Sequence, residues 1–538
     1  DTEVILHQYE EDGDLCVNKF NGMFAFILWD SKRKRLFAAR DRLGIKPLYY
    51  YVDNNIIIFA SEIKAIIEEP SVPRLPNYQA ISDYLFASRA LGDKTIYKGI
   101  KELEPGHTIS VNKLNRDTKI QKYWDVRYNY NYTRKDEDLN EELFALLDDA
   151  IKIHCRSDAP LGCHLSGGID TSTVVALASK YRSHMKTFTI KFSNEAYIDE
   201  THFAKTVSKH VGADYFESSP SSLDMAGLLP FLMWHMDTPM ATDGGFAYYT
   251  VSQLAHKHVK VSLTGHGGDE VFAGYPAQFR AAYGNTAMFS FMSDPYRKTE
   301  YSPYKRFIKN IFNKGPFDIY SAIKRRVIHR EPSFEEQWIK FHCGNLPEND
   351  SRLHPDFIRQ LEGYSPKDDY LKPFREVIHA QILDKCLYHD LRIYLPGLLH
   401  LEDRASMAVA LESRVPLLDY RIIELLATVP PEQKIRGLQP KKLLRDIIAP
   451  LLPEEIWKRK NKLPFPIPGK FWHTEEMKTM TKNILLSNES NKRAIFKHKT
   501  LMDASNGGDV WQIINIELWF KIFIDMNPNW LSMIDLKK

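Results

Sequence analysis

The chain has 538 residues, of which 43% are hydrophobic and 26% charged, and its formal net charge is +3. This length exceeds what a single hydrophobic core supports, so we expect at least two domains. The near-neutral charge and the lack of any run of about 18 apolar residues argue against a nucleic-acid-binding or membrane-spanning protein, so neither kind of partner is expected.

The region up to about residue 125 is rich in short strands and predicts antiparallel sheet. GMFAFILWD and RLFAARD flank the charged turn SKRKR, which is the pattern of a hairpin. PLYYYVDNNIIIFASE repeats that pattern around the turn residues Asp53, Asn54 and Asn55. Two more strands are predicted at PGHTISVN and IQKYWDV, and two helices at EVILHQYEE and SEIKAIIEE.

The polar stretch RYNYNYTRKDED (127–138) predicts a linker, and the pattern changes after it. EELFALLDDAIKIHC has helical spacing. Four strands then alternate with helical segments, which predicts a parallel sheet covered by helices: LGCHLS, KTFTIKF, ADYFESS and VKVSLTG. From about residue 280 the chain is predicted to be mostly helical, and the aromatic stripe of NGGDVWQIINIELWFKIF is predicted to be core.

The cysteines indicate the compartment. They are odd in number, scattered and without CxxC spacing: Cys16, Cys155, Cys163, Cys343 and Cys386. This usage is typical of a reduced, cytoplasmic protein without a zinc site, so we expect a cytoplasmic location.

The first loop of chemical interest follows the strand LGCHLS and reads Ser166-Gly167-Gly168-Ile169-Asp170-Thr171-Ser172. In a parallel sheet, ligands bind at the carboxyl ends of the strands, and free N–H groups at a helix start suit an anion. No lysine follows the glycines, so the Walker A grip on a γ-phosphate is missing. We therefore predict a loop that holds pyrophosphate as a leaving group; a plain strand-turn-helix corner is the alternative.

The second loop lies in VSLTGHGGDEVFAGY, where the acidic pair Asp269 and Glu270 follows the glycines. A helix is expected to begin there, and its dipole stabilises carboxylates. Carboxylate oxygens are also the ligands that Mg²⁺ prefers. The pair therefore predicts a magnesium site, which Asp170 is expected to join, although simple helix capping is the alternative.

The third stretch begins at HLEDRASMAVALESRVPLLD and continues to Lys441 and Lys442. Its charged residues stand in an apolar segment, where unpaired charge is expensive, so ion pairs or a binding site are implied. These residues are Asp403, Arg404, Glu412 and Arg414. A lysine directed at a reacting α-phosphate would stabilise its growing negative charge, whereas solvated surface is the alternative for an unplaced lysine.

Together these stretches resemble the glutamine-dependent asparagine synthetase family, class B, over essentially the whole chain. LSGGIDTS is similar to the family's SGGxDS pyrophosphate loop, with Thr171 in place of serine. GGDEVFAGY, EDRASMAVALESRVPLLD and KKLLRDIIAPLLPEEI are further matches. GMFAFILWD, RDRLGIKPLYY and FASEIKAI resemble the second half of the family's N-terminal glutaminase domain.

The resemblance implies an α/β fold in three parts. Residues 1–126 would be a partial class II glutamine amidotransferase domain of the Ntn-hydrolase type, and residues 127–139 a linker. Residues 140–538 would be an ATP-pyrophosphatase-type asparagine synthetase domain with a parallel sheet and a helical C-terminal part. A homodimer is common in the family and is therefore expected.

The resemblance also implies a reaction, the amidation of aspartate through a β-aspartyl-adenylate with release of AMP and pyrophosphate. ATP and Mg²⁺ are the implied cofactors, and the partners are the small-molecule substrates aspartate, ATP and either glutamine or ammonia. By motif position, the adenosine contacts would be Leu165, Ile190, Thr264 and Gly265. The pyrophosphate contacts would be Ser166, Gly167, Gly168, Asp170, Thr171 and Ser172.

The remaining implied roles concern catalysis and substrate binding. Asp170 and Asp269 would bind Mg²⁺, and Lys441 would stabilise charge during adenylation. The implied catalytic residues are Lys441, His266 and Asp269, and the implied substrate-binding residues are Asp1, Glu270, Asp403 and Arg404.

The chain departs from the family at its start. The family's nucleophile is an N-terminal cysteine whose α-amine is the base, but this chain begins with Asp1. Cys16 lies in a charged turn and has no adjacent α-amine to activate it. DTEVIL resembles the middle of the glutaminase domain, which places Asp1 where the family contacts the α-amino group of glutamine. We therefore expect a fragment without glutaminase activity that uses ammonia, while the full-length protein uses glutamine.

The second departure is His266, which stands where asparagine synthetases usually carry a carboxylate linked to adenylate formation. A histidine is neutral or cationic near neutral pH, so it can accept a proton from ammonium. It also fits a different acyl substrate, such as a cell-envelope sugar or a secondary metabolite, or a spot where histidine is simply tolerated. A non-catalytic nucleotide-binding relative is a further hypothesis.

Overall fold

The computed structural model describes residues 2–112, 117–192, 199–278, 333–435, 439–459, 472–507 and 510–535. The strands of this part of the chain form two antiparallel sheets and one parallel sheet. The predicted α/β class, with antiparallel sheet first, parallel sheet next and helices last, is confirmed.

The N-terminal part contains both antiparallel sheets, with strand orders β1-β2-β6-β7 and β4-β3-β5. The predicted hairpins are confirmed, because β1 pairs with β2 and β3 pairs with β4. The second hairpin closes through Asp53, whose Oδ1 accepts from the N–H groups of Asn55 (2.6 Å) and Ile56 (2.8 Å). The strands are β1 (Ala25–Asp30), β2 (Arg35–Arg40), β3 (Tyr49–Val52), β4 (Ile57–Ala60), β5 (Lys101–Glu102), β6 (His107–Asn112) and β7 (Thr118–Lys122).

The helices of this part are α1 (Glu3–Asp12), α2 (Ile63–Ile67) and α3 (Tyr78–Ala87), of which α3 was not predicted. The last predicted strand ends early, at Lys122 rather than at Val126. After Lys122 the N–H groups of Tyr123 (2.8 Å) and Trp124 (3.4 Å) both donate to the Gly106 carbonyl, and the Trp124 indole N–H donates to Glu424 (2.8 Å).

The segment predicted as a linker is held against the C-terminal helices. The Tyr130 hydroxyl donates to Asp384 (2.8 Å), and the Asn131 N–H donates to the Thr428 carbonyl (2.8 Å). The next helix begins at Asp136, with three acidic residues in its first turn, where the helix dipole favours them.

The parallel sheet has the strand order β10-β9-β8-β11-β12, which places β8 and β11 at its centre. The alternation of strands and helices is confirmed: α4 (Asp136–His154), β8 (Leu161–His164), α5 (Ile169–Ala178), β9 (Lys186–Ile190), α6 (Thr201–His210), β10 (Asp214–Ser218), α7 (Ser222–Met236), α8 (Gly244–His256), β11 (Val261–Leu263) and α9 (Gly268–Val271). The fifth strand, β12 (Glu412–Arg414), was not predicted, because three residues with a charge at each end carry no strand pattern.

The rest of the described chain is helical apart from β12, as predicted, and residues 279–332 lie outside the described residues. The helices are α10 (Phe334–His342), α11 (Pro355–Gln360), α12 (Pro366–Glu376), α13 (Ile382–His389), α14 (Leu395–Met407), α15 (Tyr420–Ala427), α16 (Pro431–Lys434), α17 (Lys442–Ile448), α18 (Glu454–Trp457), α19 (Glu475–Leu485), α20 (Asn488–Arg493), α21 (His498–Ser505), α22 (Trp511–Trp519) and α23 (Pro528–Asp535).

The predicted aromatic stripe is core, since Trp519, Phe520 and Phe523 are all buried. A search of the described helices for one both long and apolar enough to cross a bilayer finds none.

Candidate functional site

The two predicted loops lie side by side at one edge of the parallel sheet. β8 and β11 are neighbouring parallel strands, with Cys163 opposite Leu263, so the loops that follow them leave the sheet together. Three of the predicted adenosine contacts end adjacent strands: Leu165 follows β8, Ile190 ends β9 and Thr264 follows β11. The fold therefore gathers these positions at the carboxyl edge, where parallel sheets bind ligands.

Glycine allows the two loops to touch. A Cβ on Gly268 would lie 2.4 Å from Asp170 Oδ1, which real side chains never tolerate. A Cβ on Gly274 would lie 2.0 Å from Asp269 Oδ1 and 2.4 Å from Lys441 Cε. Both positions need glycine because charged side chains fill the space beside them.

Lys441 reaches this contact from the C-terminal part of the chain. It precedes α17 with a left-handed φ of 56°, and its N–H donates to the Ala273 carbonyl (3.1 Å). Its Nζ lies 2.6 and 2.5 Å from the two carboxylate oxygens of Asp170 and 2.7 Å from Asp269 Oδ1. The side chain is 2% exposed, so the lysine is buried and fully paired, unlike the solvated alternative. Its neighbour Lys442 instead pairs with Asp446 on the solvent-accessible side.

The two carboxylates are suited to hold a divalent cation. Because Asp170 and Asp269 both contact one ammonium group, their oxygens converge on one place. Mg²⁺ is usually bound by one or two carboxylates together with substrate phosphates and water, so two converging carboxylates fit it. Among the described residues no group of three or more His, Cys, Asp or Glu side chains could hold a metal by itself.

The pyrophosphate loop is ordered by its own hydroxyls. The Ser166 N–H donates to Thr171 Oγ1 (3.2 Å), the Gly168 N–H donates to Ser166 Oγ (3.3 Å), and Thr171 Oγ1 donates to the Gly168 carbonyl (3.3 Å). Thr171, which replaces the family's serine, thus provides a hydroxyl that forms hydrogen bonds within the loop. Ser172 lies fully buried in α5, and its predicted contact with pyrophosphate stays a prediction.

Glu270, the second residue of the acidic pair, lies beside Asp269 but is held by another partner. The Tyr275 hydroxyl donates to its Oε1 (2.6 Å). Burial, with the charge of Asp269, raises the pKa of the Glu270 carboxyl to about 7. Glu270 is thus bonded to a residue of its own loop, and its predicted contact with substrate stays a prediction.

His266 belongs to the second loop and contacts Thr264 of the same loop and Tyr248 of α8. Its Nδ1 is 3.0 Å from Thr264 Oγ1, and its Nε2 is 3.2 Å from the hydroxyl of Tyr248 on α8. Its Nε2 also lies 4.0 Å from Glu402 Oε2 on α14. His266 was predicted from the sequence, whereas Tyr248 and Glu402 were not, because neither stands in a glycine-rich loop.

Asp403 and Arg404 contact the N-terminal part of the chain. Asp403 Oδ1 is 2.9 Å from Lys46 Nζ. Arg404 donates to the Ser61 carbonyl and lies 3.4 Å from Glu62 Oε1. The structure therefore brings these two residues to the contact between the two parts, and their binding of substrate stays a prediction.

Glu412 and Arg414 form the structural ion pair that was the alternative to a site. Arg414 Nε is 2.7 Å from Glu412 Oε1. A further nitrogen of Arg414, Nη1, donates to the carbonyls of His154 and Arg156, both at 2.7 Å. Arg414 thus links β12 to the end of α4.

Cys16 lies in the N-terminal part, and the sequence did not predict it as a nucleophile. Cys16 is fully buried, and burial raises the pKa of its thiol to about 11, so it is a core residue and not a nucleophile. Asp1 lies outside the described residues.

Comparisons with known proteins agree with this layout. The family described as asparagine synthase matches residues 142–521, and the family described as a glutamine amidotransferase domain matches residues 1–124. Asparagine synthetase (glutamine-hydrolyzing) 1 of Bacillus subtilis is 27% identical over 551 residues, covering 98% of this chain and 81% of the relative.

Two further relatives match smaller shares of this chain. Putative asparagine synthetase (glutamine-hydrolyzing) 2 of Methanocaldococcus jannaschii is 38% identical over 278 residues, covering 51% of this chain and 54% of the relative. Amidase chyE of Penicillium rubens is 27% identical over 512 residues, covering 88% of this chain and 73% of the relative.

Proposed function

The chain belongs to the asparagine synthase family, and on that premise we propose that it converts aspartate to asparagine with consumption of ATP. It is a ligase of the glutamine-hydrolyzing type, with a glutamine amidotransferase region before its synthetase region. The finer proposal is that ATP activates the side-chain carboxylate as a β-aspartyl-adenylate, releasing pyrophosphate, and that ammonia then displaces AMP. The nitrogen donor in this proposal is glutamine or free ammonia.

The main support for this proposal is the contact of Lys441 with Asp170 and Asp269 at the Ser166–Ser172 loop. A Walker A lysine grips the terminal phosphates from its own loop, whereas here the lysine comes from a distant segment. A buried ammonium at this place suits charge that develops on the α-phosphate while pyrophosphate leaves. Mg²⁺, held by Asp170 and Asp269, would neutralise further phosphate charge.

The limits of the domains are also a proposal. We assign residues 1–126 to the partial amidotransferase domain, residues 127–139 to the linker and residues 140–538 to the synthetase domain. The predicted homodimer belongs to the same set of proposals.

A second candidate function is adenylation and amidation of a different acceptor. His266 favours it, since its two nitrogens lie beside the neutral hydroxyls of Thr264 and Tyr248 at a position where the family usually has a carboxylate. The similarity to an amidase of a fungus is compatible with this candidate.

The test follows oxygen from the substrate. Aspartate labelled with ¹⁸O in its β-carboxyl group is incubated with the chain, ATP, Mg²⁺ and ammonium, and AMP is analysed by mass spectrometry. The proposal expects one ¹⁸O atom in AMP and none in pyrophosphate. The second ¹⁸O atom stays in the amide carbonyl of asparagine. Label in pyrophosphate, or AMP without label, contradicts the adenylate, and pyrophosphate release with another carboxylic acid but not with aspartate supports the second candidate instead.

A further inference from the structure

A buried ion pair outside the two glycine-rich loops joins α13 to α16. Asp384 on α13 is 0% exposed, Lys434 at the end of α16 is 4% exposed, and Lys434 Nζ contacts Asp384 Oδ1. Burying two charges costs much of what their attraction returns, so such a pair adds little net stability. Breaking it is expensive, however, because one buried charge is then left without its partner. The pair therefore holds α13 and α16 in one fixed relation.

The linker contacts the same ion pair. The Tyr130 hydroxyl donates to Asp384 Oδ2 (2.8 Å) and accepts from the N–H of Gln381 (2.8 Å) at the start of α13. The Tyr128 hydroxyl donates to the Asp384 carbonyl (3.1 Å), and the centre of the Tyr128 ring lies 5.8 Å from Lys434 Nζ. Two tyrosines of the linker are thus bound to the pair, so the position of the linker and the position of the pair depend on each other.

A short segment leads from this pair to Lys441, which follows the lysine of the pair by seven positions. Ile435 at the start of this segment belongs to a small apolar cluster with Ala273 and two leucines of α13, Leu383 and Leu387. The Ala273 carbonyl in turn accepts from the N–H of Lys441 (3.1 Å). Helix α13 therefore packs against the start of the segment and against the residue that bonds the backbone of Lys441.

The backbone of Lys441 needs such support. Its φ of 56° and the φ of 57° at Ala273 both lie in the left-handed region, which is unfavourable for residues with a side chain and persists only where the surroundings impose it. The Nζ atom must also reach Asp170 and Asp269, from whose oxygens it lies 2.5, 2.6 and 2.7 Å. A shift of the backbone would move the ammonium out of this geometry, and a misplacement of about 1 Å lowers a rate by about 100-fold.

We propose that Asp384, Lys434 and Tyr130 are positioning residues for Lys441, so that the linker sets the placement of the ammonium group in the adenylation site. The proposal rests on the proposed function, in which Lys441 stabilises charge on the α-phosphate. The three residues act through the backbone of Lys441, since the contacts that hold them are with the linker, α13 and α16. The linker thereby has a role in the reaction besides joining the amidotransferase region to the synthetase region.

The first test compares Y130F with the matched control Y132F. Y130F removes the hydroxyl that donates to Asp384, whereas Y132F removes an exposed hydroxyl of the same linker that accepts from the Gln381 side chain (2.9 Å). The maximal rate of aspartate-dependent ATP–pyrophosphate exchange should fall by about 5–30-fold in Y130F, because Lys441 is then placed less accurately. The KM for ATP should stay within about threefold of wild type, since the loops that hold the nucleotide are unchanged. Y132F should stay within about twofold of wild type in both quantities.

A double-mutant cycle with Lys441→Met shows whether Tyr130 acts through Lys441. In the K441M background, Y130F should change the exchange rate by less than about twofold, because no ammonium group is left to position. A general loosening of the fold would instead lower the rate by the same factor with and without Lys441. The cycle therefore gives a readout that a purely structural role of Tyr130 would not produce.

Lys434 is tested by one non-conservative and one conservative change. K434M removes the charge that faces Asp384, and the exchange rate should fall by about tenfold or more. K434R keeps a positive charge at this place and should stay within about fivefold of wild type. Circular dichroism checks that K434M is folded. Where it is not, Y130F and its cycle decide, because phenylalanine keeps the aromatic ring of the linker and removes only the hydroxyl.

Four results would overturn the proposal. Two concern the rate in Y130F: an exchange rate within about twofold of that of Y132F, and an equal loss with and without Lys441. The third is a loss in Y130F that lies in the KM for ATP while the maximal rate is kept, and the fourth is a K434R rate no higher than that of folded K434M. Failure of the proposed function is seen separately, as wild-type exchange that depends on a different carboxylic acid, and the same variants are then compared with that acid.

Discussion

Lys441 and Asp170, which are 271 positions apart, form one buried ion pair in which Nζ lies 2.6 and 2.5 Å from the two carboxylate oxygens. Asp269 joins the same ammonium at 2.7 Å. Three separate segments therefore share one centre, and each charge there depends on the others, because a buried charge without its partner is strongly destabilising.

The first prediction concerns Lys441→Met. Loss of the ammonium should lower the rate of pyrophosphate release by about 10²–10³-fold, since the growing phosphate charge loses its buried partner. The variant should also lose about 3–5 kcal/mol of unfolding free energy, because two buried carboxylates are left uncompensated. Lys442→Met is the matched control and should change neither quantity appreciably. Stopped-flow pyrophosphate detection and denaturant unfolding measure both, and a K441M rate within tenfold of wild type would refute the assignment.

Gly268→Ala tests the close approach of the two loops. The new Cβ would fall 2.4 Å from Asp170 Oδ1, so the Asp170 carboxylate, which pairs with Lys441, or the loop that carries it must shift. We expect the unfolding free energy to fall by about 1–3 kcal/mol. The rate of pyrophosphate release should fall by a larger fraction than the content of secondary structure. Gly22→Ala is the control, because nothing lies within 4 Å of its added Cβ. Unimpaired activity in G268A would mean that the two loops need not touch.

Asp403 and Lys46 are tested by a double-mutant cycle with Asp403→Asn and Lys46→Met. The ion pair of 2.9 Å between the two parts of the chain should give a coupling of about 1 kcal/mol in unfolding free energy. The KM for the acyl substrate should stay within about threefold in each single variant. A large rise of KM in D403N alone would support the predicted substrate contact of Asp403 instead.

Glu402 should make stability depend on pH. Its pKa is raised from the ordinary 4.5 to about 7, so between these values the folded state binds more protons than the unfolded state. Stability therefore falls as pH rises through this window, by ~3 kcal/mol for this group. Relative to wild type, E402Q should gain stability between pH 5 and pH 8 when thermal unfolding is followed across that range, and a constant difference would contradict the raised pKa.

The secondary structure followed closely from local patterns. The hairpins of the N-terminal part and the alternating strands and helices were predicted correctly, since hydrophobic period and turn residues act over a few positions. β12 and α3 were missed, and the last antiparallel strand was predicted too long, because after Lys122 the N–H groups of Tyr123 and Trp124 share one carbonyl, that of Gly106, and do not continue the ladder. Those outcomes depend on partners that lie far away in sequence.

The residues of the candidate site show the same difference between local patterns, which the sequence reveals, and contacts with distant partners, which it does not. The two glycine-rich loops were found from sequence, because their residue types and their position after strands are local features. The directions of three consecutive charged side chains could not be predicted from sequence. Glu402 lies near His266, whereas Asp403 and Arg404 contact the N-terminal part. The order of the charges does not indicate which of them will pair with a neighbouring element.

The sequence by itself determined the order of elements, the family and the loop that lacks a lysine. Only the tertiary structure decided that Lys441 is buried against Asp170, since an ion pair between positions 271 residues apart exists only once the chain has closed around it. It also decided that a carboxylate, Glu402, stands behind His266, because burial and pairing are properties of packed neighbours and not of residue order.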